Sequence, residues 1–87
     1  MTKTIQQEIQ QSLNIFHPSF EAGFTSMGVL IININTNNKD VDMEIIERVQ
    51  QYLKDDTAQN LGIEQMYDET SFGNKYDGTR LTLTLNN

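Results

Sequence analysis

The sequence predicts an α+β domain in which two helices cover one face of a four-stranded antiparallel sheet. Three observations indicate this fold. Two segments carry apolar residues at helical spacing. Each is followed by two segments with the strand pattern, and no apolar face is large enough to be buried without the others. We therefore predict the element order α-β-β-α-β-β in a single domain spanning residues 1–87, a length that suits one domain.

The first helix is predicted to begin after Thr4. Thr4 and Gln7 have the spacing of a capping box, in which each side chain bonds to the other residue's backbone amide. The apolar residues that follow recur every four positions on one face: Ile5, Ile9 and Leu13. Pro18 predicts the end of this helix, because the residue before a proline is forced out of the helical conformation.

A hairpin is predicted next. Residues 20–25 alternate apolar and polar side chains, and Ser26-Met27-Gly28 predicts a turn. Residues 29–35 carry the strongest strand pattern of the chain. Their core face is predicted to consist of Leu30, Ile32 and Ile34. The opposite face ends in Asn33 and Asn35, so we expect it to be open to water.

The second helix is predicted to start at Asp40 or Asp42, one of which caps it, and to continue to about Asn60 with a break. Four of its acids lie off the apolar face and are expected to point to water: Asp42, Glu47, Asp55 and Asp56. Its apolar stripe is predicted to be Val41, Ile45, Val49, Tyr52 and Leu53. Leu61-Gly62-Ile63 has the pattern of a glycine cap at the end of a helix.

The last segment predicts a second hairpin. Asp77-Gly78 is a typical two-residue turn, and the strand after it alternates apolar residues at Leu81, Leu83 and Leu85. Counting back across this turn places Phe72 opposite Leu83 and Asn74 opposite Leu81. All four phenylalanines are assigned to the core by their apolar character: Phe16, Phe20, Phe24 and Phe72.

The two halves of the chain resemble each other at an offset of 40 positions. The matching residues are Ile5, Ile9, Gln10, Gln11 and Leu13 against Ile45, Val49, Gln50, Gln51 and Leu53. Duplication of an α-β-β unit, giving units 1–38 and 41–87, and coincidence between two amphipathic helices are both open. The α+β prediction holds in either case.

Composition excludes several classes of protein. Without cysteine there is no disulfide scaffold and no thiolate metal site. Twelve acids against six bases, a net charge of −6, disfavour direct binding to nucleic acid. No apolar stretch is long enough to span a membrane, and no leader pattern follows Met1. We expect a cytoplasmic protein, in the host cytoplasm if it is viral.

No motif indicates catalysis. His17 is the one histidine, and there is no nucleophile motif and no glycine-rich phosphate loop. We expect neither an enzyme nor a cofactor. Asn33, Asn35, Asn37 and Glu44 loosely match a calcium loop. We expect no metal there, because the first ligands are neutral amides and Asn38 stands where such loops need glycine.

The acids are concentrated in one segment. Residues 40–69 hold nine acids and two bases, a net of −7. Exposed acids that keep the protein soluble are one explanation, and a surface for a basic protein partner is the other. For the second explanation we predict as binding residues Glu44, Glu47, Asp55, Asp56, Tyr67, Asp68 and Glu69. Tyrosine is included because interfaces favour it.

The predicted function is non-enzymatic protein binding, and its sharper form is an inhibitor that occupies a basic site on a nucleic-acid-handling protein. In composition the chain is similar to small acidic inhibitors made by bacteriophages and mobile elements against host defence, being short, cysteine-free and rich in Asn, Gln and Thr. This resemblance assigns no role to any residue.

Two alternatives remain. One is a homodimer that binds a small ligand through Asn33, Asn35, Thr82 and Thr84 on the polar sheet face. The other is a structural subunit of a larger assembly.

Overall fold

Two helices and four strands follow one another in the predicted order. In the computed structural model, which describes residues 4–54 and 58–85, the elements are α1 Ile5–Leu13, β1 Glu21–Phe24, β2 Val29–Ile34, α2 Lys39–Lys54, β3 Ala58–Thr70 and β4 Gly73–Leu85. The strands form one antiparallel sheet in the order β1-β2-β4-β3. Both helices pack against the same face of this sheet, so the predicted α+β fold is confirmed.

The core lies between the helices and this inner face. Among the residues whose side chains are described, the buried apolar ones are Ile9, Ile15, Phe20, Leu30, Ile32, Ile34, Ile45, Ile46, Val49, Leu53, Leu81 and Leu83. The predicted core face of β2 is therefore confirmed, as is the inward alternation of Leu81 and Leu83. In α2, Ile46 is buried while Val41 is exposed, so the buried stripe is rotated from the predicted one.

The capping box of α1 is confirmed, but the helix ends earlier than predicted. The Gln7 amide donates to the Thr4 hydroxyl (3.1 Å), and the Thr4 amide donates to the Gln7 side chain (3.0 Å). Asn14 adopts the left-handed conformation (φ 55°), and the Ile15 amide donates to the Gln10 carbonyl. Asn14 rather than Pro18 therefore ends the helix, because a left-handed residue there reverses the chain.

The start of α2 differs from the prediction. The Asn38 side-chain oxygen accepts from the amides of Asp40 (3.0 Å) and Val41 (3.2 Å), so Asn38 is the cap. Neither Asp40 nor Asp42 caps the helix. An asparagine suits the position because its short side chain folds back onto the first free amides of the helix.

The predicted continuation of α2 is wrong. The helix ends at Lys54, and the chain from Ala58 onward forms β3, so Gly62 lies inside a strand rather than at a helix end. The strand is favoured because it can pair along the whole of β4, with Ile63 opposite Leu81. This pairing joins residues far apart in the sequence, so a local sequence pattern does not indicate it.

The second hairpin turns at a different place from the predicted one. Residues 70–73 make the turn, where the Thr70 hydroxyl donates to the Gly73 carbonyl (2.6 Å) and accepts from the Phe72 amide (3.2 Å). The predicted pairings across Asp77-Gly78 are therefore wrong. Asn74 instead lies opposite Glu69, and Leu83 lies opposite Leu30 of β2.

Asp77-Gly78 forms a β-bulge in β4. Gln65 pairs with Thr79, but two residues later Tyr67 pairs with Tyr76, so β4 carries one extra residue. Gly78 has φ 107° there. A bulge and a tight turn both need a residue with positive φ, which is why the dipeptide signal alone did not distinguish them.

The assignment of all four phenylalanines to the core is wrong for three of them. Phe20 is buried, whereas Phe16 and Phe24 are more than half exposed and Phe72 is 100% exposed. Isoleucine and leucine fill the inner face instead. Phe72 is exposed because it occupies the turn between β3 and β4, where no element of the described residues covers it.

Replacing Gly78 should destabilise the protein. A Cβ at this residue would lie 3.0 Å from the Ile34 carbonyl oxygen, at a φ that side chains rarely adopt. We expect Gly78→Ala to lower the free energy of unfolding by about 1–3 kcal/mol, measured by urea denaturation. Gly62→Ala is the matched control in the same hairpin, since a Cβ added at Gly62 would meet no atom within 4 Å. Equal losses in the two variants would contradict the steric explanation.

Candidate functional site

β3 and β4 extend beyond the rest of the sheet at the end where α2 begins. The last pair between β2 and β4 is Ile34 with Thr79, and residues 73–76 pair with β3 alone. We call residues 65–78 the hairpin arm and Ser71-Phe72 its tip. The molecule is elongated and measures 45 × 25 × 22 Å. The tip therefore lies at one end of the sheet, away from the β1–β2 turn.

A buried carboxylate connects the arm to α2. Asp42 is fully buried, which corrects the expectation that it points to water. Its Oδ1 accepts from the amide (2.9 Å) and the hydroxyl (2.6 Å) of Thr36, and its Oδ2 accepts from the Tyr76 hydroxyl (2.5 Å). These three donors offset the loss of hydration of a buried charge.

Tyr76 is the residue of the arm that makes this connection. Its hydroxyl also lies 2.6 Å from the hydroxyl of Thr79, which is buried. Because the single Tyr76 proton is donated to Asp42, Thr79 is the donor in the second bond. Burial and the hydrogen bond to Asp42 raise the pKa of Tyr76 from 10.0 to about 12. The phenol therefore remains a donor throughout the neutral range.

Tyr67 makes a second contact between the arm and α2. Its ring meets that of Tyr76 edge to face, with 5.9 Å between the ring centroids and 69° between the planes. The Lys39 ammonium lies 6.0 Å from the centroid of the Tyr67 ring, at the outer limit of a cation–π contact. Lys39 is the first residue of α2, so the arm is held at the start of that helix.

The tip combines an apolar side chain with nearby acids. Phe72 is fully exposed, and the last residues of β3 before the turn include Asp68 and Glu69, both exposed. Asp68 lies opposite Lys75, and Glu69 lies opposite Asn74. An aromatic anchor with a polar rim is a typical arrangement of a protein interface.

The structure separates the predicted binding residues into groups. Tyr67, Asp68 and Glu69 lie together on the arm, with Asp68 on the opposite face of the strand from the other two. Glu44 and Glu47 are exposed on α2, on the side turned away from the core. Asp55 and Asp56 lie outside the described residues. The arm is therefore where predicted binding residues of different types meet.

A scan of protein-family models, a search of curated proteins and a search of solved structures all find no match to this chain. In residues 4–54 and 58–85, no three His, Cys, Asp or Glu side chains are placed to hold a metal ion. Neither helix in that part of the chain is long and apolar enough to cross a membrane. The case for a functional site therefore rests on geometry and charge.

The outer face of the sheet is the second candidate site. Glu21, Asn33, Arg80 and Glu64 form one row across all four strands. The Asn33 side-chain oxygen accepts from the Arg80 guanidinium (3.0 Å), and the Asn35 oxygen accepts from the Asn37 amide (3.0 Å). Two of the amides predicted to line a ligand site are therefore engaged by the chain itself.

Sequence reasoning missed Phe72, Asp42 and Tyr76 as functional or supporting residues. A signal existed for Phe72, since it lies between polar residues and Gly73, a composition typical of turns. No local signal existed for the Asp42–Tyr76 bond, because the two residues are 34 positions apart in the chain.

Removing the Asp42 carboxylate should strongly destabilise the fold. Asp42→Ala removes the acceptor shared by the Thr36 amide, the Thr36 hydroxyl and the Tyr76 hydroxyl, so we expect a loss of about 3 kcal/mol in the free energy of unfolding. Asp42→Asn should lose less, because one amide oxygen still accepts. Asp40→Ala, an exposed acid in the same helical turn, is the control and should change stability by less than about 1 kcal/mol. A similar loss for Asp40→Ala would contradict the role of burial.

Stability should fall as pH rises from about 10 to about 12. In that window the folded chain keeps the Tyr76 proton, whereas an unfolded tyrosine releases it, so each step in pH favours the unfolded state. Tyr76→Phe has no proton to release, and its stability should decline less steeply there. Urea denaturation at a series of pH values measures both slopes. Identical slopes for the two chains would show that Tyr76 is not responsible.

Proposed function

We propose that this chain is a non-enzymatic protein-binding domain that contacts a basic partner through the tip of the hairpin arm. The observation that carries the proposal is the full exposure of Phe72 at the end of an arm attached to α2 by Asp42 and Tyr76. Single exposed apolar residues are common. A large aromatic ring presented on a supported projection is suited to insertion into a partner's pocket.

The charge around the tip indicates the chemistry of that pocket. Asp68 and Glu69 lie within a few residues of Phe72, and the chain as a whole has a net charge of −6. A partner that accepts the phenyl ring in an apolar cavity rimmed by Lys or Arg would match both features. The remaining acids, including Glu44 and Glu47 on α2, would raise the rate of encounter through the long-range field.

A basic cavity of this kind occurs where proteins bind nucleic acid. We propose the inhibitor role on this ground, with the acidic arm occupying a site that otherwise receives phosphates. An inhibitor of this kind would bind the same site on the partner as nucleic acid, so the two would compete for the partner. Competition is therefore the measurement that separates an inhibitor from a simple binding module.

Phe72→Ser should abolish most of the binding. The full chain serves as bait in its native host, the partner is identified by mass spectrometry, and the purified pair is measured by calorimetry. Loss of an aromatic anchor at the centre of an interface costs about 2 kcal/mol or more, so we expect a drop in affinity of roughly thirtyfold or more.

Phe16→Ser is the matched control, since Phe16 is also exposed but lies between α1 and β1. Its affinity should remain within about twofold of the unsubstituted chain. Equal affinities for all three chains would contradict a role for the tip. Binding that is unaffected by added DNA or RNA would contradict the inhibitor role while leaving protein binding in place.

The outer face supports a second candidate function, a dimer that binds a small ligand. No described element covers this face, where half-buried Val29 and Ile31 lie opposite Thr84 and Thr82. Two such faces packed together would enclose a seam of apolar and hydroxyl groups. Sedimentation distinguishes the candidates, because this one requires a stable dimer and the first is compatible with a monomer.

A further inference from the structure

We infer that the partner is held by strand addition, in which an extended segment with alternating basic and apolar side chains pairs with the free edge of β3. This inference rests on the proposed function, because it describes how the same arm binds a protein. It adds the conformation and the residue pattern of the partner segment. The occupant is a β-strand rather than a helix or a folded loop.

The first support is the backbone of β3. The sheet order places β3 at one edge, and its 13 residues span about 43 Å. Within the described residues no strand pairs with its free side, so a row of N–H and C=O groups is available there. The other edge, β1, has four residues, and its Ala22 amide donates to the Gln6 side chain (3.0 Å). The long open edge is therefore β3.

The second support is the division of side chains between the two faces of β3. Ile63, paired with Leu81, and Tyr67, paired with Tyr76, lie on the inner face and are 40% and 47% exposed. Glu64 and Asp68 lie on the outer face and are exposed, whereas the third acid, Glu69, lies on the inner face with Tyr67. Side chains of a paired strand lie on the same faces as their neighbours. The added strand would therefore place apolar side chains beside Ile63 and Tyr67. It would place Lys or Arg side chains beside Glu64 and Asp68.

The third support is the charge of the edge. Residues 58–70 contain three acids, Glu64, Asp68 and Glu69, and no Lys or Arg. A second copy of β3 would bring acids toward acids, which opposes self-pairing. A basic strand would place its charges directly beside these carboxylates, with Arg80 and Lys75 of β4 on their far side. The same charges that keep two copies apart therefore select a partner of opposite charge.

The edge and the tip can serve one partner. β3 ends at Thr70, two residues before Phe72, so a strand lying along β3 leads directly to the exposed ring. Strand pairing would supply affinity through the main chain, while Phe72 and the acids would supply specificity.

The test uses a synthetic peptide of alternating Lys and Val, titrated into the isotope-labelled full chain. We expect saturable binding, amide shifts concentrated in residues 62–70, and slowed hydrogen exchange along β3. A peptide with the same side chains but an N-methyl group on every residue cannot donate a backbone hydrogen bond along either edge. Its affinity should be lower by at least about tenfold.

The charge pattern is tested with two double variants of equal net charge. Glu64→Lys with Asp68→Lys should weaken peptide binding by about tenfold or more. Glu44→Lys with Glu47→Lys, on α2, is the matched control and should weaken it by less than about threefold. Thermal melting verifies that both variants fold. The N-methyl comparison needs no variant, so the test holds even if the β3 variant is unstable.

Three results would overturn strand addition: no saturable binding, equal affinity of the N-methyl peptide, or shifts centred on α2. Each is distinguishable from failure of the proposed function. If the peptide does not bind but Phe72→Ser abolishes partner binding, the tip contact stands and strand addition is wrong. If the peptide binds β3 but Phe72→Ser leaves partner binding unchanged, the edge contact stands and the tip contact is wrong.

Discussion

The placement of the arm depends on one buried carboxylate. Asp42 is tolerated in the interior because donors from two separate segments satisfy it, Thr36 from the loop before α2 and Tyr76 from β4. The same bonds therefore fix the start of the helix against the strand. Beyond β2 the arm is an isolated two-stranded hairpin, which is marginally stable in water. Its attachment through Asp42 is what makes the tip a defined feature of the surface.

The bulge at Gly78 makes this attachment geometrically feasible. In a regular strand, residues 76 and 79 would point to opposite faces, because their separation is odd. The extra residue in β4 turns both Tyr76 and Thr79 to the inner face, where their hydroxyls lie 2.6 Å apart and Tyr76 reaches Asp42. A glycine is needed at the bulge because residue 78 has φ 107°, and because a side chain there would meet the Ile34 carbonyl oxygen. The hydrogen bonds that join Asp42, Tyr76 and Thr79 therefore depend on the bulge at Gly78.

Local signals predicted most of the fold, and long-range contacts account for the rest. The cap at Thr4, the turn at Gly28 and the alternation in β2 depend on neighbours within a few residues, and they were predicted correctly. The length of α2, the site of the second turn and the exposure of Phe72 depend on how β3 pairs with β4. For the candidate site, the sequence indicated the acids of the arm but not its apolar tip. Duplication of the α-β-β unit stays a prediction.

Solubility and binding, the two explanations of the acidic segment, make different demands on position. Solubility needs carboxylates to be exposed, wherever they lie. Binding by strand addition needs them on one face of an open edge strand, with apolar side chains on the other face. Glu44 and Glu47 on α2 meet only the first demand, and Asp42 meets neither, because it is buried. Glu64 and Asp68 meet both, since they are exposed on the outer face of β3 while Ile63 and Tyr67 lie on its inner face. The environment of each carboxylate therefore indicates its role better than its place in the acidic segment does. A buried acid stabilises the fold, an acid exposed on a helix adds solubility, and an acid exposed on the open edge strand is a candidate for partner recognition.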